Sequence, residues 1–384
     1  MKIVHIVIVG PYTEGMTYQE NLLPVCHAKQ GHEVTVIANC TFWDKDTIKS
    51  TEATEKKIDT NFKLIRLPFV FVLHSYITEK LRWMHGLYET LRKEKPDFIF
   101  LHDVATVSTG QIEKYLEESP STVLVVDSHS TFLNSAHGWI SKKILHGIIY
   151  KYSAQKIYKF AKSIYYIEPE TKEFLQECYG FPLDKMKFLS LGGTTLHDED
   201  YRRVREKVRR RYAIPEGTTV FLHSGKLDAT KRTVELLEAF LHRKHKNDTA
   251  LYIIGETSNR ERRMKIEQLA SLDQTIHLLG WKPGEELHDF LCAADVYVQP
   301  GEPSATLQVA ACCRCGIVAR DFACYTEVFG DAEFLFSQEE DLYVFLDVLC
   351  ASKDKINTLR ETTYEKAKQY LDYAVQAEEI LAGN

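Results

Sequence analysis

Two phosphate-binding signatures are missing from this 384-residue chain. No GxGxxG follows an apolar strand, which removes the dinucleotide fingerprint, and no GxxxxGK[ST] occurs, which removes the Walker A loop. No run of about eighteen apolar residues occurs, so no membrane-spanning helix is expected. The opening run Met1–Val9 is too short for a secretory leader and lacks a small-residue cleavage pattern. It passes directly into Gly10-Pro11 and reads as a first buried strand. Positive charge is not in excess: the net charge of −6 gives no reason to expect a nucleic-acid partner. The nine cysteines are scattered and odd in number, as reduced thiols of a cytoplasmic protein would be. Their only tight group, Cys312-Cys313-Arg314-Cys315, has no second cluster in sequence to complete a metal site, so packing is expected and no metal.

What is present is an α/β rhythm. At 44% apolar and 27% charged residues, the chain can fill the cores of two ordinary domains. Short β-rich runs at Ile3–Val9, Glu33–Ala38, Phe62–Leu67, Phe98–Leu101, Val123–Val126, Ser163–Ile167 and Met186–Leu189 read as buried strands. A helix is expected over Tyr18–Gln30, stopped by Gly31, and one long helix over Ser75–Lys93. Several strands end in polar tips, His102-Asp103 and Asp127-Ser128-His129-Ser130 among them. In open α/β sheets ligands bind beyond the carboxyl ends of strands, so those tips mark a site. The rhythm restarts near residue 191 after a connection, with strands at Thr219–His223, Leu251–Ile254, Ile276–Leu278, Val296–Val298, Ile317–Arg320 and Glu333–Phe336. The tail Asp341–Leu381 reads as helical.

Two loops in this second half carry chemistry. Gln299-Pro300-Gly301-Glu302-Pro303 follows a buried strand and precedes a helix that Ser304 or Thr306 can cap. Free N–H groups and the positive dipole end make that helix start an anion site, while Glu302 suits hydroxyl groups beside the anion. Ser224-Gly225-Lys226-Leu227-Asp228-Ala229-Thr230-Lys231 brings two lysines five residues apart to a second strand-to-helix loop, where both could meet a diphosphate. Two further segments are basic. Asp200–Tyr212, DYRRVREKVRRRY, reads as a solvated surface helix. Asn134–Ser163 has six lysines, no acid and interleaved aromatics, a composition that suits a core helix with a lysine face or a helix lying on anionic lipid.

The order of these features resembles a known family. HSGKLDATKRTVELLEAF, LYIIGE and HLLGWKPGEELHDFLCAADVYVQPGEPSATLQ together resemble the C-terminal domain of retaining glycosyltransferases of family four, also called glycosyl transferases group 1. IVIVGPYTEGMTYQENLLPVCHAKQGHEVTVI and KPDFIFLHD are similar to their acceptor domain, so nearly the whole chain is covered. The resemblance implies the GT-B fold: two Rossmann-like, doubly wound α/β domains facing a central cleft. It also implies a nucleotide-sugar donor as substrate, no cofactor, no metal and retention at the anomeric carbon. By the same resemblance Lys226 and Lys231 hold the donor diphosphate, with Gly15 and Gly225 close to the donor. Glu302 lies beside the donor sugar, and Ser304, Ala305, Thr306 and Leu307 offer backbone N–H groups. Trp281 falls where the base is read. Tyr18, Asp103 and His129 are placed toward the acceptor, His129 with a catalytic role beside Glu302 and the two lysines. One departure stands out. The family's second glutamate, which grips the ribose, is Ala310 here, and Gln308 is the nearest polar replacement.

The domain expectation is residues 1-190 for the acceptor side, 191-365 for the donor side, and a helix over 366-384 that packs back on the first domain. The activity implied is sugar transfer to a glycan or lipid-linked glycan, as in bacterial surface polysaccharide synthesis. Its place is the cytoplasm, with peripheral contact on the inner membrane face through residues 134-163. Two alternatives stay open: a non-catalytic GT-B sugar-binding or partner subunit, for which Ala310 speaks, and a sugar-nucleotide epimerase, for which paired acids are not identified.

Overall fold

The computed structural model describes every residue except 45, 46, 133, 331, 332 and 384. The chain forms two compact units, one of Met1–Ser190 with Gln376–Asn384 and one of Leu191–Val375. The sequence-based boundary at 365 instead falls within the helix Lys353–Tyr370, which packs on strand Gly316–Arg320 of the second unit and stays with it.

Eight strands make the sheet of the first unit. In spatial order they are Met186–Phe188, Ala161–Tyr166, Val123–Ser128, Phe98–His102, Lys2–Val7, Glu33–Asn39, Phe62–Leu67 and Thr54–Asp59. All neighbours are parallel except the last pair. The central parallel strands, from Val123–Ser128 to Glu33–Asn39, are buried on both faces, which is why they read as continuous apolar runs. The antiparallel edge strand Thr54–Asp59 and the hairpin Thr41–Asp44 with Thr47–Ser50 give no such signal. Thr54–Asp59 and Thr47–Ser50 are exposed throughout, so no apolar alternation marks them.

The single helix expected over Ser75–Lys93 is two, Ser75–Leu81 and Leu87–Glu94. Between them Met84 pairs in an antiparallel bridge with Phe69, and Arg82 and Gly86 adopt left-handed backbone angles that close one helix and open the next. Thr109–Glu118, Arg260–Ala270 and Ala323–Phe329 are helices that the apolar spacing did not reveal. The tail is three helices, Glu339–Ala351, Lys353–Tyr370 and Tyr373–Ala382.

The second unit holds a six-stranded parallel sheet. Its spatial order is Ile276–Leu278, Thr249–Ile254, Thr219–Ser224, Val296–Gln299, Gly316–Arg320 and Leu335–Phe336. The basic helix is Asp198–Arg211, and it is less solvated than its composition suggests. Arg205 and Arg209 turn inward to the buried Asp295, at 2.5 and 2.7 Å, and Arg205 also donates to the carbonyls of Cys292, Ala293 and Ala294. Asp295 further accepts the Val220 N–H at 2.8 Å, so these arginines fasten the helix to the sheet.

Candidate functional site

Strand Thr219–Ser224 is where the second sheet changes direction. The chain leaves it to build Thr249–Ile254 and Ile276–Leu278 on one side, then returns to build Val296–Gln299 on the other. Loops leaving the carboxyl ends of such neighbouring strands open a crevice for ligands. Here the loops are the two lysine and glutamate segments, and they are fastened to each other. The Glu302 N–H donates to Thr230 O at 3.0 Å, and Lys231 Nζ donates to the carbonyls of Glu302 and Pro303, both at 3.2 Å. Gln299 Nε2 reaches the Glu302 carbonyl at 2.7 Å. A Cβ on Gly301 would lie 2.0 Å from Thr230 O, so only glycine lets the backbones approach this closely.

The helix that follows the lysine loop is Thr233–His242. Asp228 accepts from the N–H groups of Thr230 and Lys231, closing a short 3₁₀ turn, and Arg232 takes a left-handed angle before the helix opens. Beneath the loops, the buried His223 donates from Nδ1 to Val298 O at 2.8 Å and accepts from Thr233 Oγ1 through Nε2 at 3.0 Å. Burial pushes its pKa down to about 4, so it is a neutral brace. The two lysines therefore differ. Lys231 is half-buried, and burial lowers its pKa against the opposing charges of Asp228 and Glu302. Lys226 is exposed and makes no ion pair among the described residues. The Glu302 carboxylate is likewise exposed.

Ser304 caps the helix Ala305–Cys312, its hydroxyl accepting from Thr306 N–H. The Leu307 N–H already donates to Ser304 O at 3.0 Å and the Ser304 N–H to Tyr325 Oη at 2.9 Å. Gln308 points inward, its amide nitrogen 2.9 Å from Ser304 O and 3.3 Å from Ala305 O, and Ala310 is fully buried. Gln308 thus braces its own helix start. On the other side of the sheet, Gly255 N–H donates to Gly280 O at 2.9 Å and Trp281 N–H to the Glu256 carboxylate at 3.3 Å. A cavity of ≈ 360 Å³ opens there, lined by Leu227, Gly255, Glu256, Thr257 and Arg263 among others. The Trp281 ring is 66% exposed.

In the first unit, polar strand tips gather at the carboxyl edge. Asp127 is fully buried, with Oδ2 3.0 Å from His102 Nδ1 and 3.6 Å from His129 Nε2. Its Oδ1 accepts the Asp103 N–H at 3.0 Å. Burial alone would raise the pKa of this carboxyl, but the His102 and His129 charges hold it well below the usual range. For His129 burial lowers the pKa, and the Asp127 carboxylate reverses that and raises it to about 9. Asp103 has both oxygens engaged, with the Ala105 N–H and the Ser130 hydroxyl, at a left-handed backbone angle. Gly15 and Tyr18 are exposed in the loop before helix Gln19–Lys29.

Two family models match the chain: Glycosyltransferase Family 4 over residues 25–192 and Glycosyl transferases group 1 over residues 204–368. The chain belongs to the group 1 glycosyltransferases. Its fold is that of solved members of the GT-B type. A sucrose-phosphate synthase from Thermosynechococcus elongatus is similar at TM-score 0.65 and 15% identity, over 100% of this chain and 98% of that one. Anabaena HepE in complex with UDP gives 0.65 and 15%, over 100% and 99%. WaaG, a glycosyltransferase involved in lipopolysaccharide biosynthesis, gives 0.61 and 16%, over 100% of both chains. No curated protein matches.

Three features of this glycosyltransferase were not legible in its sequence. Gln19 is buried at the start of its helix with neither amide atom hydrogen-bonded among the described residues. His102 pairs with Asp127, which places a second histidine behind His129. The cysteine cluster also has company after all. His288 and Cys292, one helical turn apart on Gly284–Ala293, bring their donor atoms within 4.8 Å of each other and of the Cys313 thiol. Three donors fall short of a closed tetrahedral set, and the hydrogen bond with Cys292 together with burial pushes the Cys313 thiol up, as in a packed core. Cys315 is used differently, its thiol meeting Leu291 O at 3.2 Å.

Proposed function

We propose that this glycosyltransferase moves a sugar, with retention, from a nucleoside-diphosphate sugar to a glycan or lipid-linked glycan, as bacterial surface-polysaccharide synthesis requires. The observation that carries the reading is the fastened loop pair at the switch point of the second sheet, which joins Lys231 to Glu302 just before the start of helix Ala305–Cys312, with Lys226 exposed in the same loop as Lys231. The bond from the anomeric carbon to the diphosphate oxygen breaks as the acceptor oxygen bonds to that carbon on the same face, and the acceptor's hydroxyl proton passes to the departing diphosphate oxygen. Negative charge grows on the diphosphate, and two lysines and the positive end of helix Ala305–Cys312 stabilise it without a metal, although the N–H groups of Ser304, Thr306 and Leu307 are engaged within the protein. Lys226 supplies the mobile charge and Lys231 the fixed one. Glu302 orients the sugar hydroxyls, Gly225 lets the diphosphate approach, and the cavity beside Gly280 and Trp281 receives the base. On the first unit, His129, Tyr18 and Asp103 are assigned to the acceptor, with Gly15 near the donor.

Ala310 and the inward Gln308 favour a second reading, a subunit that binds a nucleotide sugar without turning it over. A panel of nucleotide sugars separates the two. The enzyme reading expects thermal stabilisation by one donor together with release of the nucleoside diphosphate, and stabilisation without release establishes the second reading.

For a lipid-linked acceptor, the segment around Gly138–Ile140, Ser141–Tyr150 and Lys151–Tyr158 supports peripheral attachment. Trp139, Ile140, Ile144, Ile148 and Tyr152 are exposed beside Lys142, Lys143 and Lys151. Of the six lysines, Lys156 and Lys159 are taken by Glu113, and Tyr158 and Phe160 pack partly inside. No helix among the described residues is long and apolar enough to cross a membrane. Each basic residue near an anionic surface contributes about 1 kcal/mol. Sedimentation with anionic liposomes at low salt is expected to pull the protein down, and Lys142, Lys143 and Lys151 changed to Glu to release it. Protein left in the supernatant removes the membrane contact.

A further inference from the structure

Behind His129 runs a line of imidazoles through the core of the first unit. Asp127 Oδ2 lies 3.0 Å from His102 Nδ1. His102 Nε2 lies 3.0 Å from His5 Nδ1, and His5 Nε2 lies 3.0 Å from His27 Nδ1. His27 Nε2 ends the line at 3.1 Å from the carbonyl oxygen of Ala377, in the returning segment Gln376–Asn384 of the same unit. All three rings and Asp127 are buried.

Counting protons decides the state of this line. It has four links, and each needs one proton, since two lone pairs facing at about 3.0 Å repel. Both ends are acceptors: a backbone carbonyl has no proton to give, and an ionised carboxylate has none either. Three neutral imidazoles bring three protons, one too few. Starting from Ala377 O, His27 must donate through Nε2 and accept at Nδ1. His5 must then donate through Nε2 and accept at Nδ1. His102 must donate through Nε2, and the remaining link places a second proton between its Nδ1 and Asp127.

We propose that His27, His5 and His102 form a closed imidazole chain that stores one surplus proton on His102, and that this charge keeps Asp127 ionised and so positions His129. Burial supports the distribution, because it lowers the pKa of His5 well below its ordinary value and that of His27 to about 4, so neither carries the charge. Asp127 also accepts the Asp103 N–H, which favours its ionised form. The line cannot conduct. Moving a proton along it would turn every ring over and leave Ala377 O facing a bare nitrogen, so His102 is a positioning residue. Among the described residues, His32 lies beside His27 at one end of the line, and Asp103, Glu20 and Glu168 surround His129 at the other. The use of His129 in transfer rests on the proposed function, whereas the proton count does not.

The test reads protonation directly by long-range ¹H–¹⁵N correlation spectra of the ¹⁵N-histidine-labelled full chain at pH 7.5. His102 is expected to carry protons on both nitrogens, and His5 and His27 on Nε2 alone. His5→Gln offers an amide N–H toward His27 and an oxygen toward His102, so it should preserve the pattern. His5→Leu breaks the chain, and His102 should then lose one proton. Asp127 would no longer be shared with a second cation, so the titration midpoint of His129 should rise by about one pH unit. A singly protonated His102 in the unaltered protein overturns the proposal, as does a His102 that ignores His5→Leu. If no nucleotide sugar is turned over, the transfer reading fails while these spectra stand or fall on their own.

Discussion

Lys226 and Lys231 look equivalent in sequence, and their surroundings make them different. Lys226 is exposed and makes no ion pair among the described residues, so its ammonium can follow a ligand. Lys231 holds two carbonyls of the opposite loop and is partly desolvated. Replacing either with Ala is expected to lower nucleoside-diphosphate release on the order of 10²-fold, as loss of one preorganised donor does. Only Lys231→Ala should also lower stability. Loss of its bonds costs about 1–2 kcal/mol, which is about 2–6 °C in melting temperature. Calorimetry of the two variants checks the distinction, and equal melting temperatures contradict it. Lys226, Lys231 and Glu302 were legible because charged residues in a Gly/Pro loop after an apolar strand have few structural duties. The inward turn of Gln308 and of His102 was not. Whether a side chain turns inward depends on partners far along the chain: Gln308 serves its own helix start, while His102 meets Asp127 from a neighbouring strand.

Among elements, the apposed loops after Thr219–Ser224 and Val296–Gln299 matter most. Gly301 is the point of closest approach. Gly301→Ala would place a Cβ 2.0 Å from Thr230 O, and the overlap must move one backbone. The expected cost is about 1–3 kcal/mol in stability, with weakened donor binding as Glu302 shifts. Titration of the variant with the nucleoside diphosphate and with the nucleotide sugar checks this, and unchanged affinity for both contradicts it. The parallel strands that carry these loops were readable because burial on both faces leaves a continuous apolar run. Strand Thr54–Asp59 was not, being polar and exposed at the sheet edge. The split between Ser75–Leu81 and Leu87–Glu94 was hidden as well, since the apolar spacing runs on while the Phe69–Met84 bridge breaks the helix.

Across the whole molecule, buried histidines set the response to acid. Burial lowers His27, His146 and His223 to about 4, and His5 further. Their unfolded value is about 6.5. In that interval the unfolded chain binds more protons, so this stability is present above about pH 6.5 and is lost as pH falls toward 4. His129 acts with the opposite sign. Its folded pKa is raised to about 9, so its contribution is full below pH 6.5 and disappears as pH rises through 9. Melting temperature is therefore expected to peak near about pH 6.5–7, to decline toward pH 9 as the His129 contribution is lost, and to fall steeply by pH 5. A flat profile from pH 7.5 to 5 contradicts this. The two α/β units were visible in the restart of the strand rhythm near residue 191, and a C-terminal helix returning to the first unit was expected, but the start of that return at Gln376 rather than residue 366 was not visible. That return depends on long-range bonds such as Gln376 Nε2 to Ser190 O at 2.9 Å.

In the proposed function the second unit binds a nucleotide sugar through its diphosphate while Glu302 acts on the sugar. Glu302→Gln tests it when nucleoside-diphosphate affinity and donor turnover are measured on one preparation. The variant should bind the free nucleoside diphosphate within about twofold of the unaltered enzyme and release it from the donor about 10²-fold more slowly. Equal losses of affinity and turnover would move Glu302 onto the nucleotide and contradict the account.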